Sequence, residues 1–95
     1  MKNFMKEAQK LQAKLLEQLR AIRVEGSAGG GMVRVEMDGE QNVHAVKIEP
    51  EIFEEKDVAM LEDLIVAALS DARRKILEKT QESIKSITGL PLPPF

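Results

Sequence analysis

Val24 to Gly39 reads VEGSAGGGMVRVEMDG, and this stretch decides the fold because two patterns meet inside it. Gly26, Gly29, Gly30 and Gly31 place four of the chain's six glycines within six residues. A glycine-rich run can cradle phosphate, but a Walker-type loop needs Gly-Lys-Ser/Thr entering a helix whose first N–H groups face the phosphates. Here Gly31 is followed by Met32-Val33-Arg34-Val35, where apolar and charged residues begin to alternate at the period of a strand. The dinucleotide pattern G-x-G-x-x-G fails on the same ground, because no helix follows. The glycines are therefore read as a turn, a bulge or a place of close backbone approach.

Working outward, Val33, Val35 and Met37 alternate with Arg34, Glu36 and Asp38, Asp38-Gly39 is a hairpin signal, and NVHAVKIE from Asn42 is the returning strand. Ile22 to Ser27 predicts a further short strand before the glycines. Three antiparallel strands then need their edges covered by a helix or a second subunit. Upstream, Phe4, Met5, Ala8, Leu11, Leu15, Leu16, Leu19 and Ile22 fall in one helical sector and Lys2, Lys6, Lys10, Lys14 and Arg20 in the opposite one. Phe4, Ala8, Leu11, Leu15, Gln18 and Ile22 form a heptad-like seam suited to packing against another helix. Residues 3–22 would reach about 30 Å as a helix, so part of it is expected to project.

Downstream, Glu49-Pro50 ends the last strand, and EIFEEKD leads into a long helix with Asp57 as its N-cap. Val58, Leu61, Leu64, Ile65, Ala68, Leu69, Ala72 and Ile76 form its inward face. Val66 and Ala67 widen that face, so the first half of the helix is expected to be largely buried. Gly89 stops the helix, and Pro91, Pro93 and Pro94 keep it from resuming. The expectation is an α+β subunit over residues 1–88 with a short Pro-rich tail over 89–95. Two long helices against so small a sheet make a homodimer the economical solution.

A chain of 95 residues is one domain, small enough to gain from association. It has no cysteine, which excludes a disulfide framework and a thiolate metal site. His44 is the only histidine and lies in a strand, where a paired or solvated role outweighs a catalytic one. The carboxylates of EPEIFEEKD lack the spacing of a calcium loop. The reading is therefore a non-enzyme with no cofactor, no metal and no small-molecule substrate. No apolar run approaches the roughly 20 residues that span a bilayer, so no membrane partner is expected and the cytoplasm is the expected compartment.

The net charge of −2 conceals a segregated chain. Residues 1–23 carry six cations against two carboxylates, residues 24–72 three against twelve, and residues 73–95 five against two. Lys2, Lys6, Lys10 and Lys14 recur every four residues, so three like-charged pairs each cost about 0.2–0.5 kcal/mol. Lys2 and Lys6 also oppose the helix dipole. A ladder that costs its helix on the order of 1 kcal/mol suggests an external anion; an ordinary solvated basic face is the other reading. With no Trp or Tyr and only Phe4, Phe53 and Phe95, base stacking is poorly served, and contact with a duplex backbone fits better. The candidate DNA contacts are Lys2, Lys6, Lys10, Lys14, Arg20 and Arg23, with Arg73, Arg74 and Lys79 as secondary positions that also suit a helix C-terminal half. The candidate dimer contacts are Leu11, Leu15, Leu19, Ile22, Val33 and Val35.

Taken in order, several features resemble the YbaB/EbfC family of small bacterial nucleoid-associated proteins. They are the Val-x-Gly glycine-rich turn before Val33-Arg34-Val35, the hairpin, Ile48-x-Pro50, the MLEDLIVAA segment from Met60 and the closing GLPLPPF. The resemblance covers nearly the whole chain. It implies an α-β-β-β-α subunit, a tweezer-like homodimer, a nucleoid location and binding of duplex DNA with weak or variable sequence preference. It supplies no catalytic motif. The rival reading is a protein-interaction module that uses the first-helix seam or the acidic segment, with DNA binding incidental.

Overall fold

Six elements follow one another in the computed structural model, which describes residues 2–88: α1 (Lys2–Ala21), β1 (Arg23–Ala28), β2 (Val33–Asp38), β3 (Val43–Ile48), α2 (Ile52–Glu55) and α3 (Val58–Thr88). The α-β-β-β-α layout is present, with one added helical turn, α2. Gly89 and the Pro-rich tail lie outside the described residues.

The strands form an antiparallel meander in the order β1-β2-β3. In register, Val24, Gly26 and Ala28 stand opposite Met37, Val35 and Val33, whose partners on β3 are Val43, Val46 and Ile48. Opposed residues share a face, so one face of the sheet is apolar throughout. Val33 and Val35 are fully buried there, beneath Ala68, Ala72 and Ile76 of α3. Burying a side chain of that size stabilises by about 1.5–3 kcal/mol, which makes this layer the main stabilising contact.

Gly26 sets how the two layers meet. A Cβ on Gly26 would overlap the Ala68 carbonyl oxygen and the Ala72 amide nitrogen, and would lie 2.6 Å from the Ala72 Cβ. Glycine against two alanines lets the α3 backbone settle directly onto β1. Two further contacts hold it there: the Ser27 N–H donates to the Asp71 carboxylate at 3.0 Å, and the Lys75 ammonium donates to the Glu25 carbonyl at 2.8 Å. These side chains cover the outer edge of β1. The other three glycines of the run make the turn, at φ of 64°, 68° and 91° for Gly29, Gly30 and Gly31.

Drawn over β1 and β2, α3 leaves the far strand uncovered. Val43 and Val46 of β3 are 47% and 46% exposed, and Val66 of α3 is 63% exposed. The expectation of a largely buried first half of α3 is therefore corrected: Val58 and Val66 face outward, because the helix is anchored to β1 rather than centred on the sheet.

The hairpin differs in detail from its sequence signal. Asp38 belongs to β2, and the left-handed residue of the turn is Gln41, at φ 66°. Gly39 serves another contact: its N–H donates to the Leu19 carbonyl at 3.0 Å, and a Cβ there would collide with that carbonyl. His44 is the extra residue of a bulge in β3, where Glu36 pairs with Ala45 and Met37 with Val43. The acidic segment closes into its own turn, α2, because Lys56 adopts φ 51° and ends it. Asp57 then caps α3 as expected, accepting the Met60 N–H at 3.0 Å.

The radius of gyration is 17.7 Å, against about 12 Å for a compact chain of this length. Much of the excess is α1, whose residues 3–14 are all exposed.

Candidate nucleic-acid interface

The root of α1 decides where its lysines stand. Beyond the Leu19–Gly39 hydrogen bond, Arg20 pairs with Glu40 of the hairpin at 2.9 Å, and Arg23 donates to the carbonyls of Arg20 and Ile22 at 2.6 and 3.1 Å. The hairpin is itself fastened by Asp38, 4% exposed. Its carboxylate accepts the N–H groups of Glu40 and Asn42 at 2.8 and 3.0 Å and the Asn42 side-chain amide at 3.3 Å, and His44 Nε2 lies 2.7 Å away. The hydrogen bond to His44, followed by those from Asn42 and Glu40, outweighs burial and holds the Asp38 carboxyl down to about 2. Buried and fully engaged, this carboxylate carries structure, and His44 is the paired strand histidine of the sequence reading.

From that root, α1 carries Lys6, Lys10 and Lys14, all exposed and without an ion-pair partner among the described residues. Lys2 opens the same helix, and its side chain lies outside the described residues. Charge that is neither paired nor desolvated is available to an external anion at no intramolecular cost.

The remaining candidate cations are dispersed. Arg20 and Arg23 flank the ladder while tied to Glu40 and, at 3.9 Å, to Glu36. Arg74 lies between Asp71 and Glu78, at 2.9 Å from each, and the two carboxylates raise its pKa further. Asp71 falls to about 2, chiefly through the Ser27 N–H and then through Arg74 and Lys75. Arg73 borders a cleft with Met37, Val43, Val66 and Leu69 on the β3 side. Lys79 lies in a groove beside β1, where Arg23 and Lys75 are matched by Glu25, Glu78 and Glu82. Arg73, Arg74 and Lys79 thus occupy three different surroundings and form no single patch.

The candidate dimer residues also separate. Leu11 is 50% exposed, Leu15, Leu19 and Ile22 are half-buried, and Val33 and Val35 have no surface left for a second subunit. Sequence reasoning passed over Val43, Val46 and Val66, the apolar surface that α3 leaves open. Their apolar character was readable, but their exposure depends on where Gly26 draws α3.

Fold and charge layout together define a small helix–meander–helix protein with one basic helix extending from a sheet backed by a second helix. The chain belongs to the YbaB/EbfC DNA-binding family, whose model matches residues 1–90. It is 50% identical over 94 residues to a nucleoid-associated protein of Dictyoglomus turgidum, covering 95% of this chain and 90% of that one. It is 48% identical over 95 residues to a nucleoid-associated protein of Legionella pneumophila strain Corby, covering 96% and 84%. The crystal structure of an uncharacterized protein from Helicobacter pylori shares the fold with a TM-score of 0.75 at 20% identity, covering 90% of this chain and 89% of that one. Among the described residues, no helix is long and apolar enough to cross a membrane.

Proposed function

We propose that this protein binds duplex DNA as a homodimer in the nucleoid, with weak or variable sequence preference, chiefly through phosphate contacts made by Lys2, Lys6, Lys10 and Lys14 of α1. The observation that carries this reading is that Lys6, Lys10 and Lys14 are exposed and without an ion-pair partner among the described residues on a projecting helix, in a chain of a DNA-binding family. Arg20 and Arg23 extend the basic surface toward the root, with Arg73, Arg74 and Lys79 secondary. No side chain on the basic face offers an aromatic ring for base stacking, which favours backbone contact over base reading. The chemistry requires no cofactor and no catalytic group.

For the dimer, Leu11, Leu15, Leu19 and Ile22 of α1 join the surface that α3 leaves open at Val43, Val46 and Val66. Edge strand β3 and these partly exposed apolar side chains suit a second copy better than water.

The test is a gel shift on unrelated duplexes over a salt series. Each phosphate neutralised contributes about −0.9 to the slope of log K against log salt. Lys6→Gln with Lys10→Gln should flatten the slope by roughly 2 for each engaged helix. An unchanged slope and affinity would remove the ladder from the mechanism, and no binding at low salt would remove the function.

A further inference from the structure

Four of the most exposed large apolar side chains lie in two places. Phe4 and Met5, 75% and 68% exposed, form the tip of α1, while Phe53 and Val58, 63% and 69% exposed, flank the junction of α2 and α3. The junction is a concave site: a groove of about 240 Å³, lined by Ile52, Phe53, Lys56, Asp57, Val58 and Leu61. The left-handed Lys56 makes the concavity by breaking the helix between Ile52 and Val58. Asp57 lines it, and in the segment 51–63 that forms it Glu51, Glu54, Glu55, Asp57, Glu62 and Asp63 are exposed and have no ion pair among the described residues, with Lys56 the one cation there.

An apolar groove in a segment of six unpaired carboxylates repels a duplex and selects a basic partner that carries apolar side chains. The chain contains such a segment. The α1 tip presents Phe4 and Met5 on one side, and residues 1–14 hold four lysines against Glu7 alone. We propose that the α1 tip of one copy docks in the acidic α2–α3 groove of another. Phe4 and Met5 enter between Phe53 and Val58, and the net positive charge of residues 1–14 meets the carboxylates of residues 51–63. Lys6 and Lys10, on the opposite side of the helix, stay outward.

Tip and groove are different surfaces of one chain, so the contact is heterologous. Every added copy brings another free tip and another free groove, and the assembly grows instead of closing. This association is separate from the dimer surface at Val43, Val46 and Val66 and does not depend on DNA binding.

Sedimentation velocity of the full-length protein over a concentration series at low salt tests it. The wild type should grow beyond its smallest stable species, and added salt should reverse the growth. Phe4→Ser or Phe53→Ser should each weaken that growth about tenfold, and so should Glu54→Lys with Glu55→Lys. All four side chains are exposed, so the variants should keep the wild-type circular dichroism. Mixing Phe4→Ser, which keeps its groove, with Phe53→Ser, which keeps its tip, should give association stronger than either shows alone. Absence of growth in the wild type, growth unaffected by these substitutions, or a mixture that fails to associate would each overturn the proposal. Growth abolished only by changes at Val43 or Val66 would assign it to the other surface. Binding of Phe53→Ser, which leaves the charge unchanged, to a duplex too short for two dimers should stay at the wild-type level, which separates this proposal from the DNA reading.

Discussion

Leu19 and Gly39 join the basic helix to the sheet: the Gly39 N–H donates to the Leu19 carbonyl at 3.0 Å, and no side chain fits between them. The contact lies where α1 leaves the core, so a small displacement there is carried along the length of the helix.

Gly39→Ala should therefore destabilise the fold by about 1–3 kcal/mol, as overpacking does. Urea unfolding measures the cost, and a matched gel shift should give weaker DNA binding as the lysines are displaced. Wild-type stability would mean that the α1 root moves aside freely.

Gly26 and Gly30 should respond differently to alanine. At Gly26 the new Cβ meets the backbone of α3 at Ala68 and Ala72, which cannot retreat as a side chain can. The loss should reach about 3 kcal/mol or more and expose the apolar face. At Gly30 nothing lies within 4 Å, and only the left-handed φ of 68° resists, costing about 1–2 kcal/mol. Thermal unfolding of the two variants ranks them, and the reverse order would refute the close-approach account.

Asp38 and Asp71 both titrate at about 2 in the folded chain, against about 3.9 for an ordinary aspartate. Their folded pKa values are depressed, so each contributes stability that is present above about pH 4 and lost as pH falls through about 2. Urea midpoints followed from pH 5 downward should decline across that window in the wild type, and less steeply in Asp38→Asn and Asp71→Asn. Parallel curves for wild type and variants would exclude these two carboxylates as the source.

Arg74 and Lys10 offer opposite cases of one charge. Arg74 already faces Asp71 and Glu78 at 2.9 Å, whereas Lys10 has no partner among the described residues. Lys10→Gln should shift the salt slope by roughly 0.9 for each phosphate it engages, and Arg74→Gln by clearly less. Equal shifts would mean that DNA displaces the Arg74 pairs.

Val43→Glu with Val66→Glu places charge on the apolar surface that α3 leaves open. Light scattering coupled to size exclusion should report monomers, with circular dichroism unchanged because both positions are largely exposed within the subunit. A dimer that survives both charges would move the interface elsewhere.

Periodicity carried much of this fold. The four-and-three spacing of α1, the alternation from Val33 to Met37 and the capping Asp57 are local signals, and the structure keeps each of them. The lysine ladder was equally legible, because charge on an exposed helix face depends on spacing alone. Asp38-Gly39 marked the hairpin, and the structure adds that Gly39 packs under α1 while Gln41 takes the left-handed conformation. The acidic run read as a lead into α3, since a left-handed lysine has no signature in sequence.

By itself the sequence determined the order of the two long helices and three strands, the apolar alternation of the sheet and the separation of basic ends from an acidic middle, because those properties are carried by local spacing along the chain. Only the tertiary structure decided which apolar residues remain in water. Gly26 draws α3 across β1, which buries Val33 and Val35, uncovers Val43, Val46 and Val66, and brings the Asp71 carboxylate to the Ser27 N–H. Those outcomes follow from distances between residues far apart in the chain, and no local pattern encodes them.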